Sequence, residues 1–507
     1  MADRDHLADH TPILVGGGQV VERGLTDDSP MTLAAEAARR AIAHAGGRDL
    51  VAAIDTISAT RLFSDSMGIP PCPFGRSNNP PLSIARAIGA NPAGLVYSEV
   101  GGNVPQSLII EFARDIARGE RSVVLLAGAE AIRNQRNAER SGRVLDWSEN
   151  FADDDALLED RGWGELFVTM QEIGNGLRAP MSYYGLIDQA RAFASGRSVE
   201  EQRAANAQLL ASLSAVASRN NYSQYPEAVS AEEILAAAPV NHQYTKRMVA
   251  QDGVNQAAAL VMCSVGAARR LGIPPEHWVF LHGMAEGADH NLSEREDPAH
   301  SPVAAAVLDS AFALAGKTVA DIDLIDIYSC FPCAISSTAA HLALPIDGSR
   351  TLTLTGGLPY FGGAGNNYVM HSLAEAVAQL RDNPAAYALV TSVGGLLSKH
   401  GAGIYSHQPS KVDWAAVNTS ISRDSLPRRQ IIEAPAGGAI VSYVVNYKAG
   451  EPVQAVVLAD TADGGRFVAT SAPTDSVTLA AVLAGVQVGQ AIVVACGQNG
   501  ALYFSLA

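Results

Sequence analysis

Cysteine is scarce in this chain: five residues in 507, at Cys72, Cys263, Cys330, Cys333 and Cys496. A sparse, odd-numbered set is not a disulfide framework. Cys330 and Cys333 form a C-x-x-C in YSCFPCAI, residues 328–335. No second close pair exists to complete a four-cysteine zinc site, so no metal centre is expected. The pair stays open as a redox motif following a strand (IDLIDIY), or as two small side chains packed at a strand-to-helix junction. Basic residues are also short, 36 Lys and Arg against 52 Asp and Glu, for a net charge of -16. That balance argues against nucleic acid as a partner. It leaves room for a phosphate-bearing small molecule held by local cations or helix N-termini. No apolar run reaches the roughly 18 residues of a membrane span. The polar start, MADRDHLADHTP, lacks the apolar segment of a signal peptide. The expectations are a cytoplasmic location and no membrane partner.

What the chain has is apolar content, 48%, and an internal repeat. SPMTLAAEAARRAIAHAGGRDLVAAIDTISAT begins at Ser29 and SPVAAAVLDSAFALAGKTVADIDLIDIYSC at Ser301, about 270 residues later. Each opens with Ser-Pro, a cap followed by proline at the first helical position. Each continues as an Ala-rich helix, a glycine turn and an apolar strand. A second pair follows in the same order: GGNVPQSLIIEFARDIARGERSVVLLAGAEA from Gly101, and GGAGNNYVMHSLAEAVAQLRDNPAAYALVTSVGG from Gly362. Each reads as a glycine-rich turn, an amphipathic helix and a strand apolar on both faces. Strands buried on both sides imply a central sheet covered by helices. The chain therefore divides into an N-terminal half, residues 1–275, and a C-terminal half, residues 276–410. An insertion at about residues 133–245 carries the acidic run FADDDALLED and a helix starting at Ser198, with Glu201 placed for a capping box. After about residue 410 alternating and β-branched stretches, broken by Ala-Gly-Glu-Pro and Asp-Gly-Gly turns, predict a small β-barrel over 411–507. Its few basic residues argue against an oligonucleotide-binding role.

The two related halves, the inserted helical segment and three motifs resemble the thiolase superfamily. DIDLIDIYSCFPCAI resembles the D-x-x-x-x-H-D-C-F segment of sterol-carrier-protein-type thiolases. TGGLPYFGGAGNN resembles the thiolase G-G-x-x-x-x-G-H-P-x-G-x-S-G segment. VTSVGGLLSKHGAG resembles the C-terminal C-x-G-G-G turn. The resemblance covers about residues 10–405, and the extra β-domain is similar to that of the type 1 thiolase-like proteins. It implies a duplicated, five-layer αβαβα core with a helical loop domain, plus an appended OB-like barrel. It also implies acetyl-CoA acetyltransferase-like acyl-transfer chemistry, no permanently bound cofactor, coenzyme A or acyl-CoA as substrate, and a homodimer.

Thiolase chemistry uses an acyl-accepting cysteine at a helix N-terminus, a second cysteine, an activating histidine and two oxyanion holes. In this chain Asn103 stands at the nucleophile turn (SEVGGNVPQSL), Val393 at the second cysteine, Gly363 at the G-H-P histidine and Tyr328 at the H-D-C-F histidine. An acyl-cysteine route is therefore not expected. The turns at Asn103 and at Gly394-Gly395 remain as oxyanion-type backbone. New polar groups gather on the same motifs. His400 follows the glycine turn as a candidate base, and Tyr328 is a candidate hydrogen-bond donor to an enolate or thioester oxygen. His371, Asn367 and Tyr368 open a helix. Cys330 matches the family's site-lining cysteine, and Cys333 lies one turn on, in packing. The reading is retro-Claisen cleavage or formation of a carbon–carbon bond beside a carbonyl, with CoA thiolate attacking directly. Retro-aldol cleavage and a non-catalytic acyl-CoA-binding role are the alternatives.

Overall fold

A computed structural model describes residue 4 and residues 6–66, 68–152 and 158–507; the middle of the acidic run FADDDALLED lies outside the described residues. The first half contributes β1 (Pro12–Val21), β2 (Thr56–Ala59), β3 (Gly94–Tyr97), β4 (Val123–Ala131), β5 (Leu158–Asp160) and β6 (Asn255–Ser264). The second contributes β7 (Val279–Ala288), β8 (Leu324–Asp326), β9 (Tyr387–Gly394), β10 (Lys399–Ser406) and β11 (Ser420–Ile421). They form one eleven-stranded sheet in the order β5-β3-β2-β4-β6-β1-β7-β10-β9-β8, with β11 beside β7. The repeat is visible in the pairing. β1–β6 and β6–β4 are antiparallel and β4–β2 parallel. β7–β10 and β10–β9 are antiparallel and β9–β8 parallel in the same sense. The halves meet where β1 and β7 share two residue pairs.

Helices lie on both faces of each half, and the Gly16-Gly17-Gly18 run in β1 shows why they come so close. Side chains alternate across a strand. A Cβ on Gly16 or Gly18 would lie 2.2 Å from the Ala41 or Ala37 carbonyl oxygen of the helix Pro30–Ala45. A Cβ on Gly17 would lie 3.0 Å from Ala374 Cα of the helix Tyr368–Asp382, on the opposite face. That helix and the helix Val104–Ala117 each contact strands of both halves, so they form the middle layer between the two. The helix Pro302–Ala315 covers the outer face of β7 and β10. One large sheet thus runs through both halves, with helices on its outer faces and two shared helices between the halves. Ser29 and Ser301 cap their helices as the sequence predicts, each accepting from a backbone N–H with proline at the helix start. The insertion is helical, and Ser198 with Glu201 completes a capping box on Val199–Ala217.

Beyond the sheet, β12 (Gly437–Lys448), β13 (Glu451–Asp460), β14 (Arg466–Thr470), β15 (Ala491–Cys496) and β16 (Leu502–Leu506) pair in the closed order β12-β13-β14-β16-β15. This unit leans on the inserted helix Pro180–Ala194: Ser442 donates to the Leu186 carbonyl at 2.7 Å, and Ser182 to Asn446 Oδ1 at 2.8 Å. No helix among the described residues is long and apolar enough to cross a membrane.

Candidate active site

The helix Val104–Ala117 begins just beyond β3, so the Gly101-Gly102-Asn103 turn puts its N-terminus past the C-terminal end of that strand. Asn103 and His400 line one cavity of about 510 Å³ there. His400 reaches it because β9 turns back into β10 through Gly394 and Gly395, with Gly395 in the left-handed region at φ +60°. His400 also lines a second cavity, of about 250 Å³. Its ring forms part of the wall of both.

His400 is buried, and that burial, with Arg295 beside it, lowers its imidazole to about 4. It is therefore neutral at pH 7. Its Nε2 lies 3.4 Å from Ser301 Oγ, which already accepts from the Ala304 amide at 3.0 Å. The Ser301 hydroxyl can thus donate to Nε2, which is then the unprotonated, accepting nitrogen of the neutral ring.

The turn itself is tightly packed. A Cβ on Gly102 would fall 2.3 Å from the Tyr328 hydroxyl and 2.6 Å from the Val393 carbonyl oxygen. Tyr328 thus occupies the space behind the nucleophile turn and does not line either cavity. Burial raises its hydroxyl well above the ordinary tyrosine range, so it stays a neutral donor. Asn103 Oδ1 lies between Gly101 and Gly394, where a Gly394 Cβ would meet it at 2.0 Å, and is buried with no hydrogen-bond partner. The Gly101 amide is taken by Asn366 Oδ1 at 3.1 Å.

Other sequence-predicted residues sit elsewhere. His371 hydrogen-bonds Gln19 Oε1 at 2.8 Å, and burial lowers it to about 3. It stands between the middle-layer helix and β1, away from both cavities. Asn367 donates to the Gly128 carbonyl at 2.7 Å and so ties the middle helix to β4. Tyr368 shares a 2.5 Å hydrogen bond with Thr355 and sets its ring edge-on to Tyr328, centroids 5.8 Å apart. Gly363 donates its amide to Gln251 O at 2.8 Å. These residues build the scaffold.

Cys330 lies in the turn before the helix Pro332–His341 and Cys333 in its first turn, both buried. Burial pushes the Cys330 thiol up to about 12 and Cys333 well above its usual value. Neither supplies a thiolate at neutral pH. A thiol reagent should therefore reach exposed Cys496 and half-buried Cys72 in the native protein, but Cys263, Cys330 and Cys333 only after denaturant. Fast native reaction of all five would overturn this account of the thiols.

Several site residues carry no motif. Glu286, Lys399, Ser107 and Arg114 line the larger cavity with Asn103. Asn103 Nδ2 donates to Ser107 Oγ at 3.2 Å. Burial raises the Glu286 carboxyl, opposed by a hydrogen bond from Ser107 and by the Arg114 charge. Lys399 Nζ stands 3.6 Å from Glu99. An acid within the mostly apolar strand segment VFLHGMAEGA was the one local signal for Glu286. Among the described residues no group of His, Cys, Asp and Glu is placed to hold a metal ion.

No family model matches the chain. The crystal structure of a monomeric SCP2-thiolase-like protein type 1 from Mycobacterium smegmatis does: 36% identity, 99% of this chain and 100% of that one covered, TM-score 0.84. This chain belongs to the type 1 SCP2-thiolase-like proteins. The wider superfamily shows at lower identity. The acetyl-CoA acetyltransferase of Methanocaldococcus jannaschii is 24% identical over 326 residues, 63% of this chain and 72% of that one. The Ltp2-ChsH2(DUF35) aldolase shares the fold at 18% identity and TM-score 0.57, with 79% and 98% of the chains covered. This type 1 protein keeps that fold while an asparagine, Asn103, heads the helix at the nucleophile turn.

One buried acid of this thiolase-like core lies outside both cavities. Glu130 accepts from the Phe63 amide at 2.7 Å, and burial raises it to about 8. The folded state therefore holds a proton on Glu130 that the unfolded chain releases near 4.5, so this group's stabilisation declines as pH rises from 4.5 to 8. Buried His400, His242 and His371, lowered to about 4, 3 and 3, act oppositely and only below the unfolded value of 6.5. Between pH 6.5 and 8 the denaturant midpoint of the unmodified protein should decline, and Glu130→Gln should flatten that decline. An unchanged slope would show that Glu130 does not hold that proton.

Proposed function

We propose that this protein makes or breaks a carbon–carbon bond beside a carbonyl in a β-keto substrate, with coenzyme A as the acyl acceptor and no acyl-cysteine intermediate. The observation that carries this is His400 lining two cavities at once, beside Asn103 where the helix Val104–Ala117 begins. Two cavities meeting at one neutral imidazole suit two reactants meeting at one base. His400 takes the thiol proton of CoA. The thiolate adds to the β-carbonyl carbon, the C–S bond forms and the Cα–Cβ bond breaks. The electron pair passes to the enolate oxygen of the departing fragment, and His400 returns its proton to that fragment's α-carbon. Asn103 and the backbone amides of its turn are the groups nearest the developing oxyanion. The test is consumption of free CoA thiol with a panel of β-keto substrates. Binding of CoA without turnover across the panel would leave a non-catalytic acyl-CoA-binding protein. That second reading draws on Tyr328, whose hydroxyl packs against Gly102 where an open nucleophile turn would have space.

We take the three units as residues 1–275 with the loop domain at 133–245, 276–410, and 411–507. The last has the features of an OB-like barrel: a closed order of first-second-third-fifth-fourth strand and a helix, Ser476–Leu483, between the third and fourth. We also take the chain as a monomer rather than the homodimer that the wider resemblance implies. The edge of β3 is covered by β5 in parallel pairing from Leu95–Leu158 to Tyr97–Asp160, which leaves the three-residue β5 as the edge of the sheet, too short for extensive strand pairing with a second chain. The M. smegmatis relative is described as monomeric. Light scattering should return the mass of one chain; twice that mass would refute it.

A further inference from the structure

The two cavities beside His400 differ in charge. Glu99, Glu111, Glu165 and Glu286 line the larger one together with Arg114, Arg161 and Lys399. The 250 Å³ cavity has no acidic residue in its wall, yet two arginines, Arg295 and Arg191, face it. The rest of its lining mixes small or apolar residues such as Ala304, Leu308 and Val393 with hydroxyls and the imidazoles of His300, His341 and His400.

Arg295 is 3% exposed. Its Nη2 donates to the Leu397 carbonyl at 2.7 Å and to Ser398 Oγ at 3.1 Å, and its Nε to the His290 carbonyl at 3.1 Å. Nη1 makes no hydrogen bond among the described residues. The nearest carboxylate, Asp289, stands 3.7 Å from Nε, and its Oδ2 is buried without a hydrogen-bond partner. This is a loose pair rather than the bidentate fork that a guanidinium makes when its charge is fully matched. Arg191, on the inserted helix Pro180–Ala194, donates to the Ala299 carbonyl at 3.1 Å, and its Nε is buried without a partner. A buried guanidinium with a free donor, a second arginine with an unused nitrogen, no acid in the wall and an apolar stretch at Ala304, Ala305, Leu308, Val393 and Leu397 describe a pocket for an anion at the end of a short carbon chain.

We propose that this cavity holds the acyl part of the substrate and that this part ends in a carboxylate bound by Arg295 and Arg191: the protein acts on short ω-carboxyacyl compounds. The proposal rests on the function given above and names its substrate class. It also bears on His400, because a carboxylate beside Arg295 offsets the positive charge that disfavours a protonated imidazole, just where the mechanism needs His400 to take up a proton.

The test is calorimetry with two thioesters of equal carbon number, glutaryl-CoA and valeryl-CoA, and with CoA alone. Glutaryl-CoA should bind at least about tenfold more tightly than valeryl-CoA, the effect of one charge-assisted hydrogen bond. Arg295→Met and Arg191→Met should each erase that preference while leaving CoA affinity unchanged. Should Arg295→Met fail to fold, Arg191→Met carries the comparison, since Arg191 is less deeply buried. Glutarate alone should compete with glutaryl-CoA. Competition by inorganic phosphate but not glutarate would assign the arginines to a phosphate and overturn the carboxylate. Equal binding of both thioesters overturns this proposal and leaves the proposed function standing; no binding of any CoA species overturns both.

Discussion

His400→Ala is expected to reduce CoA-dependent turnover of a β-keto substrate by about 10²- to 10⁴-fold, the range of a lost general base. CoA affinity should stay within a few-fold, because the imidazole is only one part of the wall of each cavity. The split is diagnostic: a structural role would weaken binding, turnover and stability together, whereas a base affects kcat. The pH profile supplies a second readout. With His400 lowered to about 4, activity should not fall between pH 7 and 5 as it would for a histidine titrating near 6.5. Full turnover in the alanine variant, or an acid limb centred near 6.5, would remove His400 from the role of base in its present environment.

Gly283→Ala should destabilise the fold strongly for the addition of a single carbon. Gly283 lies in β7 against the helix Pro302–Ala315, and its Cβ would sit 2.0 Å from the Ala311 carbonyl oxygen and 2.8 Å from the Ala315 amide nitrogen. Ordinary contact between such atoms is about 3.5 Å. Both neighbours are backbone, so no side chain can swing away, and the whole helix must withdraw. That would loosen the buried face formed by Val303, Val307, Leu308, Ala311 and Phe312. Overpacking of this kind costs about 3 kcal/mol, read as a fall in unfolding free energy in urea. A loss under about 1 kcal/mol would mean that strand and helix can separate without disturbing that face.

Some of the site followed from the sequence because local chemistry encodes it. Asn103 at the helix start and His400 after the Gly394-Gly395 turn are set by short-range geometry, and the structure brings both to one cavity. His371 could not be separated from His400 on the same grounds. Both follow glycine-rich turns and both are buried, but one faces Gln19 in β1 and the other lines two cavities. Burial, which leaves both imidazoles neutral at pH 7, is a property of the packed core and not of either heptapeptide. Arg295 was equally silent: it sits in a connecting segment, SEREDP, that is buried only where it packs against the strands beyond residue 411, with Arg466 donating to the Arg295 carbonyl.

The sequence by itself determined the duplicated α/β plan, the Ser-Pro helix starts, the capped inserted helix and the appended β-strands, because capping, alternation and close glycine packing are read over a few residues. Only the tertiary structure decided that the two halves meet at β1 and β7, that Tyr328 fills the space behind Gly102, and that one histidine lines both a cavity of mixed charge and a cavity with arginines but no acid. Those features depend on contacts between residues far apart in the chain, where burial and neighbouring charge, rather than local pattern, set what a side chain can do.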